Sequence, residues 1–321
     1  MNGAGPAELV FVGGTGRSGT HIVARMLSEH PRFAGVPIEC RFHCNPRGLA
    51  DVVTGKATPE EFVTKLRGFW WHRVRTGGRA TVRLRRLAGR RSEDAKVRGL
   101  HKITTRERLE EAIARFEELS RDDLVEASRA LFFHLLGPLA EAEGKPALVE
   151  MSCFTIASAP GLERIFPEAR FVHSVRDGRD SGSSKVSKRQ KEHHPVDVTS
   201  GIEWWEGRLA LAEEGASGLS EPGSLHAVSL DELVWGDRET SYAGLLAFLG
   251  VADEPGMRAF FDEQMNTGAA HRERWREGHD EAEQAAITAA YERALDRIER
   301  EGYHCAEPLR RSFDRTAGVA G

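Results

Sequence analysis

A glycine-rich stretch near the start of the chain has residue types that could bind an anion through the backbone. Residues 13–21 read GGTGRSGTH, between an apolar run at 9–12 and residues 22–27, whose apolar side chains repeat at helical spacing. Glycine tolerates positive φ and lets backbone N–H groups approach a ligand closely. The start of a helix adds unsatisfied N–H groups and the positive end of its dipole. The stretch therefore predicts a strand, a phosphate-binding loop and a helix in succession.

A second segment, about 160 residues further along, repeats this pattern with more basic side chains. The apolar run 170–175 leads into a polar, glycine-containing turn with Arg176 and then into a predicted helix. Ser184 and Lys188 are four residues apart, so a helix would place them on the same face. An ordinary helix start explains the aspartates of this turn but not the arginine, serine and lysine together. These three residues at this spacing match a known family motif, described below, that implies a second anion site.

The first loop keeps the end glycines of the nucleotide P-loop, G-x-x-x-x-G-K-[ST], but has Thr20 at the lysine position. Because that lysine contacts the β- and γ-phosphates, its absence argues against an ATPase or GTPase. A phosphotransferase would also need Mg²⁺ ligands, for which the sequence offers no clear set. Two alternatives stay open: a P-loop phosphotransferase or kinase, and a non-catalytic nucleotide-binding module that uses a basic stretch as an interaction surface.

The two segments together resemble the donor-binding motifs of sulfotransferases that use 3′-phosphoadenosine 5′-phosphosulfate (PAPS). The resemblance is strongest to the protein-tyrosine and carbohydrate sulfotransferases, whose loop commonly reads G-x-x-R-S-G-T-T, with His21 here in place of the last threonine. It implies that the 5′-phosphosulfate is bound by Gly16, Arg17, Ser18, Gly19, Thr20 and His21. It also implies that the 3′-phosphate is bound by Arg176, Ser184 and Lys188.

The C-terminal part extends the resemblance. Arg274, Trp275 and Arg276 precede a predicted last helix, and Gly302 and Tyr303 follow it, as in many members of the family. A basic loop with an aromatic ring could lie beside an adenosine 3′-phosphate. The resemblance therefore adds these two arginines and the tryptophan to the expected donor site, although a basic, aromatic surface turn is an equal alternative.

The resemblance also implies the catalytic groups. The tyrosine sulfotransferases carry Glu-x-Arg a short distance beyond a His-Pro pair, and here His30-Pro31 is followed by Glu39 and Arg41. Glu39 is the expected base for the acceptor proton, with Arg41 orienting the acceptor or sulfonate and Arg17 following charge onto the transferring sulfonate. His43 is the rival base, because histidine titrates near neutrality and serves as base in the cytosolic branch.

One position departs from the family pattern. Many members carry a lysine in a D/E-K-T/S segment that stabilises the leaving phosphate, and the corresponding residues 150–152 have Met151 there. Arg17, His21 or Lys185 would then have to supply the positive charge. The expected reaction remains the in-line transfer of a sulfuryl group from PAPS to a hydroxyl or amine.

Strands and helices alternate along the chain, which predicts an α/β fold with a parallel sheet. We expect a P-loop-like three-layer sandwich in a single domain over residues 1–321, with an insertion at about 50–145 and a helical C-terminal part at about 240–305. The later strands are predicted at 33–38, 147–150, 170–175 and 225–229. Helices are predicted at 49–71, 122–142, 162–166, 242–249, 257–265 and 281–300, before a short polar tail.

Charge is distributed unevenly over the 321 residues. The formal net charge is −4, which argues against a nucleic-acid partner, yet residues 67–108 hold 14 basic residues against three acidic ones. This basic stretch is expected to recognise an anionic acceptor or to close over the donor, and a solvated basic loop is the alternative. The acceptor itself is expected to be a small molecule, a glycan or a peptide.

Four cysteines, at 40, 44, 153 and 305, are too few and too scattered for a disulfide framework. Cys40, His43 and Cys44 lack a second pair at ligand spacing, so no metal is expected. No charged and apolar leader precedes the first strand, and no apolar run approaches the length of a membrane span. The sequence therefore predicts a cytoplasmic protein, and the family resemblance implies PAPS as its cosubstrate.

Overall fold

A computed structural model describes residues 8–74, 97–187 and 194–318. Its strands are β1 (Glu8–Gly14), β2 (Phe33–Gly35), β3 (Arg73–Val74), β4 (Val97–Arg98), β5 (Ala147–Glu150), β6 (Arg170–Val175) and β7 (Leu225–Ser229). The helices of the first half are α1 (Thr20–Ser28), α2 (Leu49–Val53), α3 (Pro59–Lys65), α4 (Arg106–Leu119), α5 (Leu124–Glu143) and α6 (Ala159–Ile165). Those of the second half are α7 (Gly178–Val186), α8 (Val198–Ser217), α9 (Leu230–Val234), α10 (Arg238–Leu249), α11 (Pro255–Gln264), α12 (Thr267–Ala270), α13 (Glu281–Arg300) and α14 (Ala306–Gly318).

Five strands form a central sheet in the order β2-β5-β1-β6-β7, and every neighbouring pair is parallel. The chain places β2 at one edge, returns to insert β5 between β2 and β1, and then adds β6 and β7 on the other side of β1. The carboxyl ends of β1 and β6 therefore lie side by side at a topological switch point, where α/β proteins bind ligands. Gly14 at the end of β1 is in register with Ser174, two residues before Arg176.

Apolar residues of β1 alternate between the two faces of the sheet, as the strand period requires. Leu9 and Phe11 belong to a core with the helices of residues 49–166, whereas Val10 and Val12 belong to a core with α1, α10 and α11. A third core, centred on Trp205 of α8, joins that helix to α13 and α14. Helices thus cover both faces, and the predicted α/β three-layer architecture is confirmed.

Three predictions differ from the structure, and two long helices, α4 and α8, were not predicted. The strand predicted at 33–38 ends at Gly35, and the helix predicted at 49–71 is divided into α2, α3 and a π-helical turn at Leu66–Trp70. The predicted polar tail is wrong, because residues 306–318 form α14 and bury Leu309 and Phe313. The apolar spacing of those two side chains is the signal that sequence inspection overlooked.

Two short strands within the basic stretch 67–108, β3 and β4, form an antiparallel pair. Arg73 of β3 is in register with Arg98 of β4. Most of the expected acceptor-binding arginines, at 75–91, lie outside the described residues. Within the described ranges, no helix is both long and apolar enough to cross a lipid bilayer.

Gly14 is expected to tolerate no side chain. A Cβ atom there would press on Oγ of Ser18 and lie 2.5 Å from the carbonyl oxygen of Ser174. Because a neighbouring strand cannot move aside cheaply, Gly14→Ala should lower the free energy of unfolding by about 1–3 kcal/mol in urea titrations. Gly207→Ala is the control, since a Cβ on this α8 residue meets nothing within 4 Å. That control should be neutral or stabilising by up to about 1 kcal/mol, and equal losses in both variants would contradict the packing argument.

Candidate active site

The loop between β1 and α1 has a backbone shaped to surround an anion. Its φ angles are positive at Gly16 (81°), Arg17 (68°) and Gly19 (87°). Gly19 precedes the first residue of α1, and no side chain of the described residues caps that helix end. Ser18 is fully buried, and its Oγ has no hydrogen-bond partner within the described ranges. Unsatisfied N–H groups and this hydroxyl are therefore available to an anionic ligand.

Arg17 connects the two sequence motifs. Its Nε donates a 2.8 Å hydrogen bond to Oγ of Ser184 on α7. Its carbonyl oxygen accepts a 3.4 Å hydrogen bond from Nη1 of Arg176. The structure thus brings together three of the site residues predicted from sequence, across separations of 159 and 167 residues. A third basic residue of that prediction, Lys188, lies outside the described residues.

Carboxylates lie behind Arg176 in the protein interior. Oδ2 of Asp180 is 3.3 Å from Nη2 of Arg176, and Asp177 accepts a 2.6 Å hydrogen bond from Arg179. Burial, together with the charge of Asp177, raises the pKa of Asp180 to about 7. The same two causes raise the pKa of Asp231 to about 6. Part of this negative charge is therefore neutralised by protons near neutral pH.

The segment before the last long helix also contacts Arg176. The carbonyl oxygen of His271 accepts a 3.0 Å hydrogen bond from Nη2 of Arg176. The backbone N–H of Glu273 donates to Oδ2 of Asp180 at 3.0 Å. Through these two backbone groups, residues 271–273 fix the position of the arginine.

The structure does not present the ring of Trp275 to a ligand. Trp275 is 1% exposed, and the guanidinium of Arg179 lies 4.6 Å from its ring centroid. Arg274 and Arg276 are exposed and lie near Glu277 and Glu273, at 3.8 Å and 3.3 Å. The expectation of a stacking loop is therefore corrected at Trp275, whose indole packs in the third core. The ring packs on Arg179, whereas Arg176 donates to the backbone carbonyl of His271.

Glu39 lies opposite the anion-binding loop, with its side chain only 7% exposed. Its Oε1 is 3.1 Å from Nε2 of His21, in the first turn of α1, and 3.7 Å from Sγ of Cys153. Its Oε2 accepts a 2.6 Å hydrogen bond from Nε of Arg41. The predicted base and its companion arginine are thus in contact with each other and with the last residue of the loop motif.

Polar groups beyond β5 hold the Glu39 segment in place. The backbone N–H of Cys40 donates to Oε1 of Glu150 at 3.2 Å, and that of Arg41 donates to Oγ of Ser152 at 3.1 Å. Ser152 in turn donates a 2.6 Å hydrogen bond to Glu150. Both partners are fully buried, so they fix the backbone directly after Glu39.

His43 lies in the core, away from the loop. Its side chain is fully buried, it stacks on Phe11 at 5.3 Å between centroids, and its Nε2 is 3.0 Å from Oε2 of Glu150. Burial alone would lower the pKa of His43, but the interactions with Cys44 and Glu150 raise it to about 10. The structure therefore gives this rival base the position of a buried partner of Glu150.

His21 differs from His43 in exposure and in charge. Its side chain is 55% exposed at the edge of the site. Burial of the ring and the nearby Arg98, Arg17 and Arg41 lower its pKa below the ordinary value. The imidazole is therefore neutral near pH 7. The nearby arginines give the surroundings of Glu39 a positive electrostatic potential.

Met151 replaces the family lysine with a buried side chain, packed in the core on the α1 face of the sheet. Of the groups expected to compensate, Arg17 contacts Ser184 and His21 contacts Glu39. The ammonium of Lys185 lies 4.7 Å from the ring centroid of Trp204. Both Trp204 and Cys153 approach Gly16 closely enough to touch a Cβ placed there.

Sequence inspection missed several residues of this site. Trp204 and Arg208 are four residues apart on α8, a helix that begins with a capping box at Asp197 and Ser200. Burial lowers the pKa of Arg208, and Cys153 and Arg41 lie close enough to affect it electrostatically. The available signal was the acidic cap followed by a tryptophan and an arginine on one helical face.

A parallel sheet with an anion-binding loop after its central strand, and a second basic motif after the neighbouring strand, defines a P-loop-like α/β protein. Residues 9–255 match the model of the sulfotransferase family. The chain belongs to this family and is an enzyme of the sulfotransferase class. The membership of the sulfotransferases that the two motifs predicted is thereby confirmed, and the resemblance to the protein-tyrosine and carbohydrate branch stays a prediction.

Three solved structures are similar to the chain at low sequence identity. The sulfotransferase domain from the curacin biosynthetic pathway is 17% identical, with 92% of this chain and 98% of that chain covered and a TM-score of 0.46. The sulfotransferase domain of the Synechococcus PCC 7002 olefin synthase is 15% identical over 91% and 96%, with a TM-score of 0.46. Sulfotransferase STF1 from Mycobacterium tuberculosis is 12% identical over 88% and 76%, with a TM-score of 0.42. No protein of curated function matches the chain.

Proposed function

We propose that this sulfotransferase uses PAPS as its donor and transfers the sulfuryl group in line to a hydroxyl or amine of its acceptor, with Glu39 as base. The observation that carries the proposal is the hydrogen bond from Arg17 to Ser184, at 2.8 Å. It joins a loop suited to one phosphate-like group to a basic motif suited to another. A donor with anionic groups at both ends of one nucleoside fits two such sites.

The donor would be bound at its 5′ end by the loop 16–21. Backbone N–H groups and the Ser18 hydroxyl can donate to the phosphosulfate oxygens without competing partners nearby. At the 3′ end, Arg176 and Ser184 would bind the phosphate, and Lys188, Arg274 and Arg276 are proposed as further basic groups around it. Charge-assisted hydrogen bonds of this kind are roughly twice as strong as neutral ones.

Glu39 is proposed as base because of its position and its partners. Oε1 lies beside His21 at the end of the loop that would hold the phosphosulfate, at 3.1 Å. Arg41 holds Oε2 and would orient the acceptor or the sulfonate. A carboxylate fixed in this way can accept the acceptor proton as the new oxygen–sulfur or nitrogen–sulfur bond forms.

Positive charge around the site would stabilise the leaving phosphate in place of the family lysine. Arg17 belongs to the loop itself and contacts Ser184, and Lys185 lies beside Trp204, whose ring approaches Gly16. Developing negative charge on the bridging oxygen is best stabilised by fixed cations that need no rearrangement. Arg17 and Lys185 are therefore the proposed substitutes for the lysine that Met151 replaces.

The acceptor is proposed to carry negative charge. Arg41, Arg98 and Arg208 surround the His21 and Cys153 side of the site closely enough to influence the pKa values of its groups. A small molecule, glycan or peptide with a carboxylate or sulfate would be attracted to this side. The same reasoning extends to the basic stretch 67–108, whose remaining arginines lie mainly outside the described residues.

Calorimetric titration with adenosine 3′,5′-bisphosphate and with ATP in the presence of Mg²⁺ tests the donor assignment. The bisphosphate should bind, and its affinity should fall when Ser184 is replaced by alanine. ATP with Mg²⁺ should bind far more weakly, because Thr20 stands at the position of the P-loop lysine. Tight Mg²⁺-dependent ATP binding without bisphosphate binding would favour a phosphotransferase instead.

Donor binding is expected to take up protons near neutral pH. A phosphate beside Arg176 adds negative charge close to Asp180, whose pKa is already raised to about 7. Binding should raise that pKa further, so affinity is highest below about pH 7 and falls as the pH rises through it. Calorimetry in buffers of different ionisation enthalpy measures the proton uptake. In Asp180→Asn only the proton exchange of the ligand's own phosphate groups should remain. Proton uptake equal to that of the wild type in this variant would contradict the assignment.

A further inference from the structure

Two histidines and a cysteine meet on the far side of β6 from α1, outside the proposed sulfotransfer site. Nδ1 of His173 on β6 is 2.8 Å from Nε2 of His304, and Cys305 follows directly at the start of α14. One ligand atom of each residue lies within 4.8 Å of those of the other two. Among the described residues, this group alone combines at least three His, Cys, Asp or Glu side chains with the spacing of a metal site.

The three side chains lie in a protected environment. His173 and Cys305 are fully buried, and the His304 side chain is 21% exposed. His173 stands in the middle of the sheet, in register with Gly13 of β1 and Ala227 of β7. Its Nε2 has no hydrogen-bond partner among the described residues. A rigid strand therefore fixes one imidazole, and the chain entering α14 supplies the other two groups.

Glu213 of α8 orients the second histidine. Its Oε2 contacts Nδ1 of His304 and also accepts a 3.0 Å hydrogen bond from the backbone N–H of that residue. Its other oxygen accepts a 3.1 Å hydrogen bond from Ser217. A carboxylate behind an imidazole is the arrangement that fixes metal-binding histidines and raises their basicity. It directs Nε2 of His304 towards His173.

We propose that His173, His304 and Cys305 form a binding site for a thiophilic divalent metal ion, with Zn²⁺ as the expected occupant. Two imidazoles and one thiolate are ligands that Zn²⁺ prefers, whereas Mg²⁺ and Ca²⁺ require oxygen ligands. Two nitrogens on a tetrahedral zinc ion lie about 3.3 Å apart, because each Zn–N bond is about 2.0–2.1 Å long. The separation of 2.8 Å between the histidine nitrogens is thus within a small side-chain adjustment of that geometry.

A fourth ligand can come from solvent. A cavity of about 530 Å³ beside β7 is lined by residues that include Glu213 and His304, the partly exposed histidine of the group. Water from the cavity would complete a tetrahedral set. Binding would displace the hydrogen bond between the two imidazoles and the proton of the Cys305 thiol, so metal uptake should release protons.

The proposed ion would anchor the C-terminal helix to the sheet. Its ligands come from β6 and from the start of α14, with Glu213 of α8 as the outer partner. The site stands apart from the donor and acceptor sites, so it concerns the stability of the enzyme rather than sulfuryl transfer. Sequence spacing gave no sign of it, because His173 and His304 are 131 residues apart.

Metal analysis of the full chain tests this proposal. The protein is stripped with a chelator and then titrated with Co²⁺, which reports a thiolate ligand by charge-transfer absorption, and with Zn²⁺ in competition. About one equivalent should bind, with an increase in the melting temperature. Cys305→Ser should lose the thiolate absorption, and Glu213→Gln should lower Zn²⁺ affinity about 10- to 100-fold.

Two substitutions serve as controls. Cys44→Ser removes another buried thiol, and His226→Gln removes a histidine that lines the same cavity. Both should keep the Co²⁺ spectrum and the zinc affinity. If the stripped wild-type chain takes up no Co²⁺ with thiolate absorption, or if Cys305→Ser binds Zn²⁺ as tightly as the wild type, the proposal is overturned. The group is then a metal-free hydrogen-bonded chain from Glu213 through His304 to His173.

Discussion

Replacing Glu39 by glutamine is expected to lower sulfuryl turnover by about 10² to 10⁴-fold, while binding of adenosine 3′,5′-bisphosphate changes little. Glutamine keeps the shape of the side chain, and its single amide oxygen can still accept the hydrogen bond from Arg41. It cannot accept the proton of the acceptor. Rates with saturating donor and acceptor, together with calorimetry of the bisphosphate, measure the two effects separately.

His21→Gln and His43→Gln complete this experiment. His21 contacts Oε1 of Glu39 from the exposed side of the site, whereas His43 is fully buried against Glu150. If Glu39→Gln retains turnover and His21→Gln abolishes it, the proton acceptor is the histidine and the carboxylate only orients it. His43→Gln should reduce stability, and any loss of turnover should follow the loss of folded protein. Wild-type stability with abolished turnover in His43→Gln would make the buried histidine the base.

Replacing Arg176 by alanine is expected to weaken the binding of adenosine 3′,5′-bisphosphate by about tenfold to 150-fold. The estimate follows from about 1.5–3 kcal/mol for a hydrogen bond to a charged group. Calorimetry at constant salt measures the change, because screening affects every charged contact. The loss should appear in donor affinity rather than in acceptor affinity.

Arg176→Ala also leaves Asp180 without its nearest guanidinium, at 3.3 Å in the wild type. A buried charge that loses its partner destabilises the fold, so the double variant with Asp180→Asn separates binding from folding. That double variant should be well folded and still weak in bisphosphate binding. Arg258→Ala is the matched control, since this arginine pairs with Asp253 and Glu239 on the surface. Wild-type affinity in both Arg176 variants would remove the 3′-phosphate assignment.

The buried strands could be predicted closely from the sequence. The strands at 147–150, 170–175 and 225–229 and the helix at 281–300 have the bounds observed, because continuous apolar runs or strong periodicity end there at clear turn signals. The strand predicted at 33–38 stops early for a tertiary reason. Its partner β5 ends at Glu150, and beyond that point the chain is held by side chains of residues 150 and 152.

Helix α8 could not be predicted from local preference. It contains Gly201, Gly207 and Gly215, and glycine lowers helix propensity by about 1 kcal/mol each. Gly201 is required by packing, since a Cβ there would lie 2.7 Å from Cα of Gly182 on α7. Close contact between two helices outweighs their intrinsic preferences, and it places Trp204 and Arg208 at the site.

The sequence predicted which motifs contribute to the candidate site, but not how their side chains are arranged in space. The glycine spacing predicted the tight turn between β1 and α1, where Gly16 and Gly19 have positive φ angles, because local backbone geometry depends on residues close in sequence. The choice between Glu39 and His43 depends on which side chain faces the sheet edge, and only the packing of His43 on Phe11 decides that. The ring of Trp275 was assigned to a ligand because its burial depends on α13 and α14.

Transfer of labelled sulfate from PAPS is the most direct measurement of the central claim. The full chain is incubated with ³⁵S-labelled PAPS and fractionated extracts, and labelled products are identified by mass spectrometry. Wild-type enzyme should release adenosine 3′,5′-bisphosphate in step with a sulfated product, and Glu39→Gln should produce about 10² to 10⁴ times less of both. Equal amounts of labelled product from wild type and Glu39→Gln, or phosphate transfer from ATP with no sulfate transfer from PAPS, would contradict the proposed site and its chemistry.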